Sequence, residues 1–205
     1  MVLMPFLHGL GTGAGLIVAI GAQNAFVLSQ GLRRNYTMQI ALLCSMCDAL
    51  LITIGVSGVG TLVVQNPGLA SFAAWGGAAF LAWYGFGSLR SAFSGAAMDL
   101  EEGQARSLRS VLLATLGVTF LNPHTYLDTI VLLGSIGGQF PGHGRFLFGA
   151  GAVSASLIWF FTLSFGARLL APLFRNPKAW QVLDLIICSI MWAIAASLIR
   201  GQLAA

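Results

Sequence analysis

Asp48 and Asp128 lie deep inside long apolar stretches, farther from the charged connections than any other full charge in this 205-residue chain. An acid at the middle of a lipid-spanning helix costs about 2.5–3.5 kcal/mol on insertion scales, and it persists where it faces a partner, a water-filled cavity or a passing ion. Burial disfavours the ionised form of a carboxylate, and a bound cation favours it. A site built on such acids can exchange a proton for a cationic ligand. The competing reading is a packed acid held in an interhelical salt bridge. No Lys or Arg stands at matching depth in the sequence, which favours the chemical reading.

Two polar interruptions accompany the acids. Pro123 has no amide proton and disfavours a helical conformation at Asn122. Asn122 can then cap a new helical segment, and the amides freed at the break form a partial positive site suited to a carboxylate. Gly21-Ala22-Gln23-Asn24 offers the matching interruption in the first half. There Gln23 and Asn24 are polar groups in an apolar run, costly unless paired. Asp184 reads differently: it follows Arg175 and Lys178 closely, as a helix-dipole or interface contact. Cys44-Ser45-Met46-Cys47 has the spacing of a thiol redox or soft-metal motif. The second half offers only Cys188, in a non-equivalent span, so the cysteines read as packing. Neither a metal site nor a cofactor is expected.

The elements that must hold these residues are membrane helices. The chain is 57% hydrophobic and 8% charged, with mean hydropathy +0.86, against about 25% charged residues in an ordinary soluble domain. A helical span needs about 20 mostly apolar residues, and six stretches qualify: about 5–31, 37–64, 69–93, 109–137, 146–171 and 179–199. The period-2 alternation of a β-barrel is absent. The expected fold is therefore an all-α polytopic membrane protein of one integral domain. Residues 1–93 form a first three-helix repeat, 94–108 a cytoplasmic connection, and 109–205 a second repeat. No Lys or Arg precedes the first apolar run, so it reads as a retained helix rather than a signal peptide.

Of the ten Lys and Arg, eight fall around alternate connections: Arg33, Arg34, Arg90, Arg106, Arg109, Arg168, Arg175 and Lys178. The positive-inside rule assigns these to the cytoplasm and puts both termini outside. Spread in this way, the net charge of +4 is no nucleic-acid footprint. Trp180 reads as an interfacial anchor, and the pairs Gly9/Gly13, Gly11/Gly15 and Gly77/Gly85 as places of close helix approach.

The halves match weakly but in order. Asn24 pairs with Asn122, residues 48–52 with 154–158, and Trp83 with Trp192, the last two each followed five residues later by Ser-Leu. Three spans per half invert the second repeat relative to the first. Transporters built this way bind near the bilayer midplane, where broken helices meet. The interruptions at Gly21–Asn24 and Asn122-Pro123 mark that place here.

The segments Gly21-Ala22-Gln23-Asn24-Ala25-Phe26-Val27-Leu28, Cys47-Asp48-Ala49-Leu50-Leu51, Trp75-Gly76-Gly77 and Phe120–Asp128 together resemble the basic amino-acid exporter family, LysE type, in its arginine-exporter branch. The likeness runs from about residue 9 to 199. Neutral amino-acid exporters of the superfamily usually carry Pro-Gly-Pro in the first helix, where this chain has Ala22-Gln23-Asn24. The resemblance implies export of L-arginine, and of L-lysine as a further candidate, across a bacterial inner membrane by proton antiport. Asp48 and Asp128 are then the substrate- or proton-binding acids, with Asn24, Asn122 and Gln23 beside them and Gly21 and Pro123 at the helix breaks. Partners are the amino acid, protons and lipid; homo-oligomerisation is left open. Rival readings are a metal-cation exporter on the same fold, a membrane thiol-disulfide electron carrier, and a structural membrane subunit.

Overall fold

The computed structural model describes residues 3–18, 21–58, 67–94, 107–170, 172 and 176–203. The far end of the second expected span (59–64), the charged part of the 94–108 connection and Arg175 lie outside the described residues. Every regular element among the described residues is helical.

The first span is a broken pair, α1 (Leu3–Ile17) and α2 (Ala22–Leu32), whose axes meet at 81°. The expected break at Gly21–Asn24 is displaced upstream. Gly21 is extended (φ −138°, ψ 179°) and caps α2, and the Ala25 amide bonds the Gly21 carbonyl at 3.0 Å. Gln23 and Asn24 therefore belong to a helical first turn, with the extended residue Gly21 directly before it. α3 (Thr37–Ser57) ends at Gly58, whose φ of +85° is the left-handed conformation glycine accepts without strain. α4 spans Pro67–Ser94.

The fourth expected span is also broken. α5 (Leu108–Phe120) starts at Ser107, whose hydroxyl accepts the Ser110 amide at 3.2 Å. The chain leaves the helix at Leu121 and Asn122 and resumes as α6 (Pro123–Tyr126). Proline at a first helical position loses no bond, since that amide has no intrahelical partner. A π-helical segment, Leu127–Leu132, follows and runs into α7 (Leu133–Gly137). α8 (Gly144–Gly166) continues as a 3-10 turn, Ala167–Leu170, and α9 covers Pro177–Leu203. Among the described residues α3, α8 with its extension, and α9 are each long and apolar enough to cross a membrane, and the α1–α2 pair makes a fourth.

Glycines set the helix contacts. A Cβ on Gly13 would sit 2.8 Å from the Ala152 Cα, Gly9 abuts the Phe148 backbone, and Gly151 abuts Phe6. Residue numbers rise together along this seam, so α1 and α8 are parallel. Gly11 and Gly15 have nothing within 4 Å, so only one of the two α1 glycine pairs is a packing seam. α3 runs parallel to the broken fourth segment: a Cβ on Gly55 would lie 2.7 Å from the Thr129 carbonyl oxygen, and one on Gly134 2.8 Å from that of Gly55. α4 and α9 are antiparallel, with Gly85 against Trp192 and Gly77 against Leu198 and the Leu121 backbone.

Two apolar clusters fill the bundle. The larger includes Phe26, Ile40, Leu81, Val111, Phe160 and Met191. It lies toward the end marked by Arg33 and Arg168, where the Arg168 guanidinium donates to Thr37 at 3.2 Å. We call this the basic end. The smaller cluster, Ile52, Val56, Leu133, Phe148 and Ala152, lies toward the opposite end.

Two sequence expectations change here. Trp180 is buried (4% exposed), with the Arg33 guanidinium 5.2 Å from its ring centroid, so it packs inside rather than anchoring at an interface. Asp184 is also buried, and it pairs with Arg33 at 3.1 Å, a residue 151 positions away in sequence. Helical periodicity turns Asp184 inward, towards α2 and α4.

Candidate functional site

A cavity of about 320 Å³ lies where the two broken helices meet α3 and α9. Gly21, Gln23 and Asn24 reach it from the first break, Asp48 from α3, and Asn122 and Asp128 from the second break. Thr125 and Thr129 add hydroxyls, while Leu16, Ile17, Leu133 and Ile194 supply its apolar wall. Five residues proposed to bind from sequence thus share one wall lining. The arrangement follows from topology: each break interrupts a span midway, and the parallel seams bring both interruptions beside α3.

Asp48 is 2% exposed and its Oδ2 accepts a 2.8 Å hydrogen bond from the Ser156 hydroxyl of α8. Asp128 sits on the π-helical segment and is half-buried. A π turn inserts an extra residue per turn and re-aims the side chains that follow, and it is often found at functional sites.

Both breaks are fastened by a side chain that reaches back to an upstream helix end. The Asn24 amide donates to the Ile17 carbonyl at 2.8 Å, and its oxygen accepts the Trp159 indole N–H at 3.1 Å. The Tyr126 hydroxyl donates to the Phe120 carbonyl at 2.7 Å. Each satisfies a terminal carbonyl that no intrahelical amide can reach. Gln23 donates to the Thr119 hydroxyl at 3.0 Å, tying the start of α2 to α5. The first amides of α2 lack intrahelical partners and carry the partial positive charge of a helix N-terminus. The cavity therefore brings two carboxylates and the residues that open α2 into one lining.

Sequence reasoning missed Ser156, Thr119, Trp159 and Tyr126. The repeat alignment paired Asp48 with Ser154, two residues from the hydroxyl that contacts it. Trp159 and Tyr126 carry no periodic signal; their partners come from other helices or from across a break. Cys44, one turn before Asp48, and Cys47, directly before it, are buried and do not line the cavity. Among the described residues no group of three His, Cys, Asp or Glu side chains is placed to hold a metal.

Interrupted apolar helices around a cavity lined by two acids fit a membrane transporter, and the family match makes the chain a translocator and not an enzyme. The chain belongs to the LysE family: the model described as LysE type translocator matches residues 14–202. It is 44% identical over 199 residues to the arginine exporter protein ArgO of Klebsiella pneumoniae (strain 342), covering 95% of this chain and 93% of that protein. The ArgO proteins of Escherichia coli (strain K12) and Salmonella typhi are each 43% identical over 203 residues, covering 97% of this chain and 95% of theirs. No solved structure matches the chain.

Proposed function

We propose that this protein exports basic L-amino acids, L-arginine foremost, from a bacterial cytoplasm in exchange for protons. The observation that carries this reading is one cavity holding Asp48 and Asp128 together with the start of α2. A guanidinium or ammonium group binds at the acids, and the α-carboxylate binds at the α2 amides. Near relatives bearing the name arginine exporter support the substrate class. Lysine meets the same two features, with fewer donors to satisfy the acids than guanidinium offers.

Moving one positive charge outward against an inside-negative potential costs about 2.3 kcal/mol per 100 mV. Returning one proton per substrate cancels that electrical work and leaves the pH gradient as the drive. Asp48 or Asp128 releases a proton inward, takes the cationic side chain, and reloads outside.

The proposed architecture is six spans in two inverted three-helix repeats, with both termini outside and the basic end in the cytoplasm. A pseudo-two-fold axis in the membrane exchanges spans one and four, two and five, three and six. It maps the parallel α1–α8 seam onto the parallel seam between α3 and the fourth span. It also maps the α3–α8 and α4–α9 pairs onto themselves. These four pairings are the main interhelical contacts, which supports the repeat.

Proteoliposomes containing the purified protein test the reading. Labelled arginine flux is measured while the pH and voltage gradients are imposed separately. Antiport predicts acceleration by a pH gradient at zero voltage. Flux that follows voltage alone would replace antiport with uniport, and absence of arginine flux would end the substrate assignment.

A further inference from the structure

We propose that Asp184 is an access subsite for the cationic side chain of the substrate, closed in this structure by Arg33. The inference rests on the reading of the protein as a basic amino-acid exporter. It concerns a second place on the route, at the basic end rather than at the central cavity.

The surroundings of Asp184 have the chemistry that recognises an alkylguanidinium. Arg33 Nη2 lies 3.1 Å and 3.3 Å from its two carboxylate oxygens. The Ser91 hydroxyl of α4 donates to Oδ2 at 2.7 Å. The Trp180 ring, one turn earlier on α9, lies 5.2 Å from the same guanidinium. A carboxylate and an aromatic face both favour a planar delocalised cation over other ligands. The Arg33 side chain is 27% exposed and that of Asp184 only 4%. A solute arriving at this end therefore meets Arg33 first, with the acid behind it.

Arg33 also ends the helix that begins at the cavity. α2 has 11 residues, about 16 Å of rise, with Gln23 and Asn24 at one end and Arg33 capping the other. Among the described residues, the Gln30 side-chain oxygen and the Ser164 hydroxyl oxygen are buried with no hydrogen-bond partner. Gln30 stands one turn from Arg33 on α2, and Ser164 belongs to the part of α8 against which Gly31 packs. Unpartnered buried polar atoms are unfavourable in a sealed core. They gain partners once water or a polar solute enters between α2 and α8.

Withdrawing Arg33 alone would leave a buried carboxylate uncompensated, which is strongly disfavoured. Replacing one guanidinium by another avoids that state. An incoming arginine side chain takes Asp184 as Arg33 leaves, and α2 is released at the same moment. The closure thus opens most readily to the ligand it admits.

The test uses the full-length protein in proteoliposomes of defined orientation, with the KM for labelled L-arginine measured separately at each face. Asp184→Asn is expected to raise KM at the basic end about tenfold, the worth of one charge-assisted bond, and to leave the other face within about twofold. Arg33→Ala removes the competing cation and is expected to lower KM at the basic end. A purely structural ion pair predicts that both variants act in the same direction and at both faces; that result would overturn the proposal. Should either variant fail to fold, Ser91→Ala and Arg33→Lys take their place. Ser91→Ala is expected to raise KM at the basic end alone and Arg33→Lys to lower it there, and KM changes of one sign or of equal size at both faces would again overturn it. If the unaltered protein carries no arginine, the exporter reading fails. If it does and the two KM shifts share a sign, only the role of Asp184 falls.

Discussion

Ser156 on α8 donates a 2.8 Å hydrogen bond to Asp48 on α3, and both side chains are buried. The contact joins the two halves of the chain at the cavity wall and fixes the orientation of the carboxylate. Removing the donor leaves a buried oxygen short of a partner, at a cost of about 1–3 kcal/mol. Ser156→Ala should lower the unfolding temperature and slow arginine flux, while Ser156→Thr, which keeps the hydroxyl, should restore most of both.

Asp48→Asn and Asp128→Asn should separate chemistry from folding. Each substitution keeps the shape and removes the charge, so the protein should insert and purify normally. Initial arginine flux should fall by at least about tenfold in each, the equivalent of 1.4 kcal/mol or more. Full flux in both variants, with normal insertion, would sink the assignment of these acids.

Asn24 has a double attachment, to the Ile17 carbonyl and the Trp159 indole. Its first task is to hold the break between α1 and α2. Asn24→Leu strands both groups, and at about 1–3 kcal/mol for each unsatisfied buried partner it should destabilise more than Trp159→Phe, which strands one. Thermal unfolding of the two purified variants checks the order. A stable Asn24→Leu protein that no longer transports would instead make Asn24 a direct substrate ligand.

Much of the site could be read from the chain because its signals are local. An acid in an apolar run, a proline after an asparagine and a glycine before two amides each announce themselves without knowledge of the fold. The membrane class was equally plain from composition. The parts that escaped depend on rotation about helix axes. In sequence Asp184 stands close to Lys178, whereas its partner Arg33 lies 151 positions away. Residue type alone makes Trp180 an anchor, yet its face of α9 turns inward onto Arg33. The position of the first break depended on which residue takes the extended conformation, and sequence offered Gly21 to Asn24 without choosing. The π segment carrying Asp128 has no compositional signature.

The glycine seams make a contrast within one helix. A Cβ on Gly13 would lie 2.8 Å from the Ala152 Cα, whereas one on Gly11 would meet nothing within 4 Å. Overpacking a tight seam costs about 1–3 kcal/mol. Gly13→Val should therefore lower the unfolding temperature and the yield of folded protein, because α8 backbone must move. Gly11→Val should behave like the parent in the same assays. Equal effects would show that the α1–α8 seam is not a rigid contact.

Cys44 and Cys47 decide between transport and thiol chemistry. Both are buried and free, one turn apart on α3 and just before Asp48. A redox relay would need these sulfurs to react, whereas packing needs only their volume. Replacing both by Ala opens voids costing about 1 kcal/mol for each methyl-sized gap, a loss visible in thermal unfolding. Arginine flux should nonetheless stay within about twofold of the parent, since 0.4 kcal/mol is all that such a factor represents, and it should not respond to added reductant. A folded double-alanine protein without flux, or a parent whose flux follows the thiol redox state, would reverse that assignment and make the pair part of the working site.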